Sequence, residues 1–320
     1  MNGFLIIDKP GGCTSHDVVR TVRKALGIKQ VGHGGTLDPD ATGVLVVAAG
    51  GATRLFPFIS GLDKTYRGRI KLGFSTDTYD ASGSPDGPPA AVLPEKERVA
   101  AAMQSFIGEI EQAPPPFSAK KVAGRPAYKL ARARRQVTLK PVRVVVRKFD
   151  LLAYEPPHVD FEAVCSSGTY IRSLAHDLGR TLGCGAHLAS LRRTAVGRFK
   201  VSDAVTLDVL EAAAREGTIV SLLVPMEAAL PSMPELVIRS EALNRLANGA
   251  PLRPEHIELF GRKAPAASSS LGAGPLVSPG PEGVTVKLFA PDGRFAGLGR
   301  YYGPGLEIRP LLCVLRAQAR

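Results

Sequence analysis

The period of the apolar positions changes along the chain, and each change marks an element. Residues 4–7 are a short continuous apolar run, the mark of a buried strand, and Asp8-Lys9-Pro10-Gly11-Gly12 ends it with residues that favour a turn. Val18, Val19, Val22, Ala25 and Leu26 then recur at helical spacing. Thr14 and Asp17 stand three apart, as a capping box requires, and Gly27 is a natural C-cap, so a helix is expected between them. Residues 44–49 are apolar throughout and partly β-branched, which predicts a strand buried on both faces. The Gly-rich loop 31–43 is thereby anchored on both sides.

Further strands are expected at 65–72, 142–154 and 159–165, and helices near 95–106, 169–182 and 207–216. Such mixing of elements implies an α/β mixed (α+β) domain. The Pro-containing stretch 225–234 marks a boundary, giving domains 1–235 and 236–320. A helix at 240–247 and strands at 284–289, 295–298 and 311–315 make the second domain a small β-rich module. Within it, residues 262–283 are rich in Ala, Ser, Gly and Pro and too poor in large apolar groups to pack, so a flexible loop is expected there.

Composition adds a partner. The 320 residues include 41 Lys and Arg against 29 Asp and Glu, a net charge of +12 that points to a polyanion. Much of the excess lies in residues 113–149, which hold eleven Lys or Arg and no Asp or Glu. That segment opens on Pro114-Pro115-Pro116 and reads as a basic insertion with a short helix around 127–133. Cys13, Cys165, Cys184 and Cys313 form no C-x-x-C pair, and no histidine stands at zinc-ligand spacing, which argues against structural zinc and a disulfide framework. The apolar run before Asp8 is too brief for a signal-peptide core or a membrane span, so a cytoplasmic protein with no membrane association is expected.

Candidate chemistry concentrates in residues 32–43, where four glycines surround Asp38-Pro39. Glycines let a backbone approach a ligand closely. An Asp before Pro is ordinarily an Asx-turn residue, and spacing alone does not separate that role from a catalytic one. Nucleotide signatures are missing: there is no G-x-x-x-x-G-K-[ST], and Gly297, Gly299 and Gly303 are followed by Pro304 and Gly305 instead of a helix. Neither H-E-x-x-H nor G-x-S-x-G occurs.

The run Gly35-Thr36-Leu37-Asp38-Pro39-Asp40-Ala41-Thr42-Gly43 resembles the core G-[TA]-L-D-P-x-A-T-G of the TruB-type pseudouridine synthases. The resemblance extends through Ile7-Asp8-Lys9-Pro10, Asp63-Lys64-Thr65-Tyr66, Thr76-Asp77-Thr78-Tyr79-Asp80-Ala81-Ser82-Gly83 and Pro116-Phe117-Ser118-Ala119-Lys120-Lys121. It continues in Cys165-Ser166-Ser167-Gly168-Thr169-Tyr170-Ile171-Arg172, Gly183-Cys184-Gly185-Ala186-His187-Leu188 and Leu191-Arg192-Arg193, covering about 200 residues in order. From about Leu236 the tail is similar to the PUA domain of RNA-modifying enzymes, chiefly through Leu243-Asn244-Arg245-Leu246-Ala247-Asn248-Gly249-Ala250-Pro251.

That resemblance implies a mixed, largely antiparallel sheet flanked by helices, a thumb-like basic insertion and a PUA-like RNA-binding module. It implies an enzyme that isomerises uridine 55 in the TΨC stem-loop of tRNA, with no metal, no organic cofactor and no obligatory protein partner. Asp38 is the implied nucleophile, attacking either C1′ of the ribose or C6 of the base. Arg172 stands near the start of the helix expected at 169–182, where the dipole disfavours a cation, so an anion should compensate; the resemblance names Asp38. Tyr66 is implied to stack on the target base and to handle the C5 proton. His33 is implied to lie against the RNA, Tyr170 and the backbone of Leu191 to line the uracil pocket, and Lys9 to support the loop. Lys120, Lys121, Arg125 and Lys129 are candidates for the RNA backbone, whose grip must offset the cost of flipping a base. The alternative is a non-catalytic tRNA-binding or folding protein, which leaves Asp38, Tyr66 and Arg172 without a purpose. Another base-modifying enzyme, such as a methyltransferase, lacks its cofactor fingerprint here.

Overall fold

The computed structural model describes residues 1–116, 140–260, 283–302 and 307–314, together with the backbone of 121–122 and 125–126. Two compact units result: Leu5–Ala49 with Phe56–Leu223, and Met1–Phe4 with Gly50–Leu55 and Val224–Arg320.

In chain order the first elements are β1 (Gly3–Lys9), α1 (Ser15–Leu26), β2 (Val31–His33), β3 (Thr42–Ala49), α2 (Phe56–Ile59) and β4 (Lys64–Leu72). They are followed by α3 (Lys96–Gln104), β5 (Gly108–Gln112), β6 (Lys121–Val122), β7 (Arg125–Pro126), β8 (Val142–Glu155) and β9 (His158–Cys165). Then come α4 (Ile171–Leu182), β10 (Ala186–Val196), β11 (Phe199–Lys200) and α5 (Leu207–Arg215). Among the described residues the larger unit is built on a nine-stranded sheet in the order β1-β3-β10-β4-β9-β8-β5, with β2 added to β3 and β11 to β10. The β3–β10 pair is parallel, while β4 pairs antiparallel with β10 and β9, and β8 with β9 and β5. The mixed, largely antiparallel sheet flanked by helices expected from the sequence is therefore what forms.

Local signals set the element ends. Thr14 Oγ1 accepts from Asp17 N at 3.1 Å, Asp17 Oδ2 accepts from Thr14 N at 2.9 Å, and Gly27 closes α1 at φ 65°. The apolar face of α1 meets α5, burying Val18, Val19, Val22 and Leu26 with Leu5, Ile7, Leu45, Val47 and Leu210. A second core joins α3 and α4 to the other strands through Val99, Met103, Leu174, Leu178, Ile70, Phe149 and Phe161. Strand β10 sits centrally in the sheet, between β3 and β4, although its sequence gave no strand expectation. Two register shifts against β4, at Leu188/Ser190 and Arg193/Ala195, break the alternation that would have marked it.

The smaller unit carries β12 (Glu235–Ile238), α6 (Leu243–Ala247), β13 (Ile257–Phe260), β14 (Val284–Phe289), β15 (Phe295–Tyr301) and β16 (Ile308–Cys313). These strands form a sheet in the order β13-β12-β14-β15-β16 around Leu236, Ile238, Leu246, Leu252, Val286, Leu288 and Ile308. The loop expected at 262–283 lies outside the described residues up to position 282, and so does the helix expected around 127–133.

The end of the basic stretch belongs to the sheet. Arg143, Arg147 and Lys148 lie on β8; Arg143 faces Glu109 and Glu111, Arg147 faces Asp63, and Lys148 faces Glu162 and also Asp150 of its own strand. Each of these cations is thus paired with a carboxylate at an exposed position. Lys120 and Lys129 lie outside the described residues, and Lys121 and Arg125 are described only as backbone, in the antiparallel β6–β7 pair. No helix among the described residues is long and apolar enough to cross a membrane.

Candidate active site

The loop between β2 and β3 is held from three directions. Lys9, at the end of β1, is fully buried, and its ammonium donates to Pro10 O, Pro39 O and Ala41 O at 2.7, 2.8 and 2.8 Å. All three ammonium protons are thus used, two of them on the turn that presents Asp38. From α1, Ser15 Oγ donates to Leu37 O and accepts from Leu37 N, at 3.1 and 2.9 Å. From β10, the buried Arg193 donates through Nε to Val44 O (2.8 Å), through Nη1 to Thr36 O (3.3 Å) and through Nη2 to Gly35 O (3.0 Å). Gly43 permits this approach: its φ is 99°, and a Cβ there would stand 2.2 Å from Arg193 O.

Helix α4 delivers the counter-charge. Arg172 is its second residue, beside the positive end of the dipole, and it faces two carboxylates. Nε stands 3.0 Å from Asp38 Oδ2 and Nη2 donates to Asp38 Oδ1 at 3.1 Å, a bidentate fork. Nη1 donates to Asp80 Oδ2 and to Thr78 O, both at 3.2 Å. The Arg172 side chain is 9% exposed and that of Asp38 is 44% exposed, so the pair has a buried cation and an accessible anion.

Asp38 stands in the wall shared by two cavities. One, of about 480 Å³, is lined by Tyr66, Tyr170, Leu191, His33, Lys64 and Arg193 as well as Asp38 and Arg172. The other, of about 780 Å³, is bordered by Thr14, His16, Asp80, Ser82 and Leu188. Six of the positions singled out in the sequence, Asp38, Tyr66, Arg172, His33, Tyr170 and Leu191, therefore share the smaller cavity, with Lys9 behind the loop. Tyr170 is placed by Gln112, whose Oε1 accepts from Tyr170 N at 2.7 Å and whose Nε2 donates to Tyr170 O at 3.0 Å.

Electrostatics follow from the concave setting. Burial pushes the Asp38 carboxyl above the usual carboxylate range, reinforced by Asp80 and Asp40 and opposed by the Arg172 guanidinium. Burial also raises the Tyr66 phenol, while a hydrogen bond and the charge of Arg193 pull the other way. His33 is held below the usual imidazole range by burial and by Arg193. Gly35 N–H donates to His33 Nδ1 at 3.4 Å, leaving Nε2 to carry the proton of the neutral ring. Burial lowers Lys64 to about 8, although its ammonium donates to Ser60 O and Leu62 O, both at 2.7 Å.

Arg193, Asp80, Ser15 and Lys64 were not singled out in the sequence. The signal for Arg193 is the pair Arg192-Arg193 in a strand, where successive side chains point to opposite faces and one must turn inward. Removing the Lys9 ammonium with Lys9→Met leaves three loop carbonyls without their donor. The variant is expected to lose roughly 1–3 kcal/mol of stability and to slow turnover more than it weakens RNA binding. Denaturant midpoints read alongside single-turnover rates check this, and an unchanged midpoint contradicts it.

Residues 23–171 match the TruB family pseudouridylate synthase N-terminal domain, and residues 172–231 the tRNA pseudouridylate synthase B C-terminal domain. The chain is 45% identical over 251 residues to the tRNA pseudouridine synthase B of Syntrophotalea carbinolica, covering 78% of this chain and 82% of that one. It is 45% identical over 249 residues to the tRNA pseudouridine synthase B of Solibacter usitatus, covering 78% and 85%. Among solved structures, a chain of an H/ACA ribonucleoprotein bound to a substrate RNA containing 2′-deoxyuridine superposes with a TM-score of 0.70 at 25% identity, covering 99% of this chain and 86% of that one. Asp38 and Arg172 stand within and at the edge of the matched domains, and the chain belongs to the TruB family of pseudouridylate synthases.

Proposed function

We propose that this chain is a tRNA pseudouridine synthase acting on uridine 55 of the TΨC stem-loop, with Asp38 as the nucleophile. The observation that carries the reading is the bidentate Arg172–Asp38 pair at the wall of a cavity lined by Tyr66, Tyr170 and Leu191. Relatives that are 45% identical to it over 251 and 249 aligned residues are named tRNA pseudouridine synthase B.

In this reading the target uridine flips into the smaller cavity, because a stacked base screens the carbons that must be attacked. The Asp38 carboxylate bonds to C1′ or C6, the N1–C1′ bond breaks, the uracil turns and C5 bonds to C1′; the C5 proton then leaves, N1 takes up a proton, and the bond to Asp38 breaks to restore the carboxylate. Arg172 keeps the carboxylate ionised and aimed. Tyr66 stacks on the uracil as the neutral phenol that burial favours, and Arg193 stabilises its oxygen when it takes part in proton transfer. His33 fills the space beside the flipped nucleotide. Lys120, Lys121, Arg125 and Lys129 grip the phosphates, and the PUA-like module 236–320 adds affinity. A tRNA substrate places the work in the cytoplasm, with no obligatory protein partner and no cofactor.

Incubation with unmodified tRNA transcript should produce pseudouridine at position 55 and release tritium from C5-labelled uridine. Binding without product supports the tRNA-folding alternative instead. The rate should also fall in acid, with a midpoint above about 3.9, because Asp38 must be ionised and burial has raised its pKa. Asp80→Asn removes a charge that raises it further, so the midpoint should move to lower pH. A midpoint that stays or rises in that variant counts against Asp38 as the titrating nucleophile.

A further inference from the structure

While Nε and Nη2 of Arg172 face Asp38, its third nitrogen, Nη1, is held by a turn, residues 76–84. Tyr79, in that turn, has φ 63° and is the one non-glycine residue among those described with a positive φ. An aromatic residue in the left-handed region is strained, and Gly or Asn would sit there at less cost. Such strain persists only where the surroundings over-determine it.

The surroundings are specific. The Tyr79 ring stacks on His176, with centroids 3.8 Å apart and planes at 14°. His176 lies on α4 four residues beyond Arg172, hence on the same side of the helix. The Tyr79 backbone is also bound at both ends: its N–H donates to Thr76 O at 3.1 Å, and its carbonyl accepts from Leu188 N at 3.0 Å. On the next residue, Asp80 Oδ1 accepts from Thr78 Oγ1 (2.7 Å) and from Ser82 N (3.0 Å), which turns Oδ2 toward Arg172. His176 Nδ1 is buried with no hydrogen-bond partner, so the imidazole is placed by the stack instead of by a bond from that nitrogen. Neither ring lines either cavity.

We propose that the Tyr79–His176 stack is a positioning device for the catalytic pair: it fastens the strained turn to the helix that carries Arg172, so that Thr78 O and Asp80 Oδ2 stay on Nη1 and the other two nitrogens stay on Asp38. Tyr79 and His176 are positioning residues, since they touch neither Asp38 nor the cavity. The proposal rests on the reading of Asp38 and Arg172 as the catalytic pair.

The test uses the full chain and unmodified tRNA transcript, with single-turnover rates at saturating RNA and dissociation constants measured separately. Tyr79→Gly, which relieves the strain and removes the ring, and His176→Ala, which leaves the turn intact, should each lower the rate by about tenfold or more while affinity stays within about twofold. Tyr79→Phe keeps the stack and should stay within about twofold of the parent in both measurements. The double variant Tyr79→Gly/His176→Ala should be no slower than the slower single variant, because both remove one device. A parental rate in Tyr79→Gly or His176→Ala overturns the proposal, and so does a loss confined to affinity, or a Tyr79→Phe as slow as Tyr79→Gly. Should thermal unfolding show Tyr79→Gly to be unfolded, His176→Ala decides alone. Asp38→Asn runs beside them: if it turns over, the functional reading has failed, whereas if it is silent and the ring variants are fast, only the positioning role has.

Discussion

Asp38→Asn should show no pseudouridine and no tritium release under conditions in which the parent enzyme converts all of its tRNA. The substitution keeps the shape of the side chain and removes its negative charge, and with the charge the nucleophilicity of a carboxylate oxygen. Loss of a covalent nucleophile costs roughly 10⁴–10⁶ in rate, far beyond what a shifted loop explains. Affinity for tRNA should change by no more than about tenfold, or ~1.4 kcal/mol, because the phosphate contacts proposed above do not involve Asp38. The fold should survive, since Arg172 retains the Asp80 carboxylate and Lys9, Ser15 and Arg193 hold the loop backbone independently of the Asp38 side chain. Retained turnover sinks the assignment of Asp38. Loss of turnover together with loss of binding points instead to a collapsed loop, and circular dichroism with a binding isotherm separates the two.

What could be read from the sequence was local. The Thr14–Asp17 capping box, the Gly27 stop and the apolar spacing between them specify α1 within its own residues, and α1 forms over Ser15–Leu26. The electrostatic conflict at Arg172 was also legible, because a cation in the first turn of a helix calls for an anion, and the structure supplies Asp38 and Asp80. The expectation that Asp38-Pro39 is more than a turn came from the resemblance and not from local physics.

The remainder depends on residues far apart in sequence. Strand β10 joins β3 to β4, yet its polar inward residue Arg193 and its two register shifts erase the period that reveals a strand. Arg193 is buried because three carbonyls from the loop and β3 receive its protons, and none of them is within 140 residues of it along the chain. The same holds for Asp80: its sequence, rich in Thr, Asp, Ser and Gly, reads as a solvated turn until α4 is placed beside it. Strand β5 was missed for a different reason, since Glu109 and Glu111 alternate toward Arg143 on its neighbour and leave too little apolar signal.

Arg172→Met should be the second most damaging substitution, and its pH dependence should show why. The guanidinium satisfies two carboxylates with fixed geometry, and its removal leaves the half-exposed Asp38 and the less exposed Asp80 without their counter-charge. Asp38 and Asp80 then keep their mutual repulsion without the cation that offsets it. Burial and Asp80 both raise the Asp38 pKa and Arg172 lowers it, so the substitution removes the opposing influence and drives the carboxyl further up. The sign is definite: a group with a higher pKa needs a higher pH to ionise, so the acid limb of the rate profile moves toward alkaline pH. At neutral pH the variant should be slower by at least about a hundredfold, combining a smaller ionised fraction with a carboxylate that is no longer aimed. Raising the pH should recover the first part of that loss and leave the second. Arg172→Lys separates them from the other side, because it keeps a cation near Asp38 and loses the fork, so its acid limb should stay nearer that of the parent while its plateau falls. Single-turnover rates for the three proteins across the pH range in which tRNA stays folded provide the measurement. A Met variant whose deficit is the same at every pH shows that Arg172 aims the carboxylate without controlling its ionisation, and a Met variant with the parental rate shows that the pair has no part in the reaction.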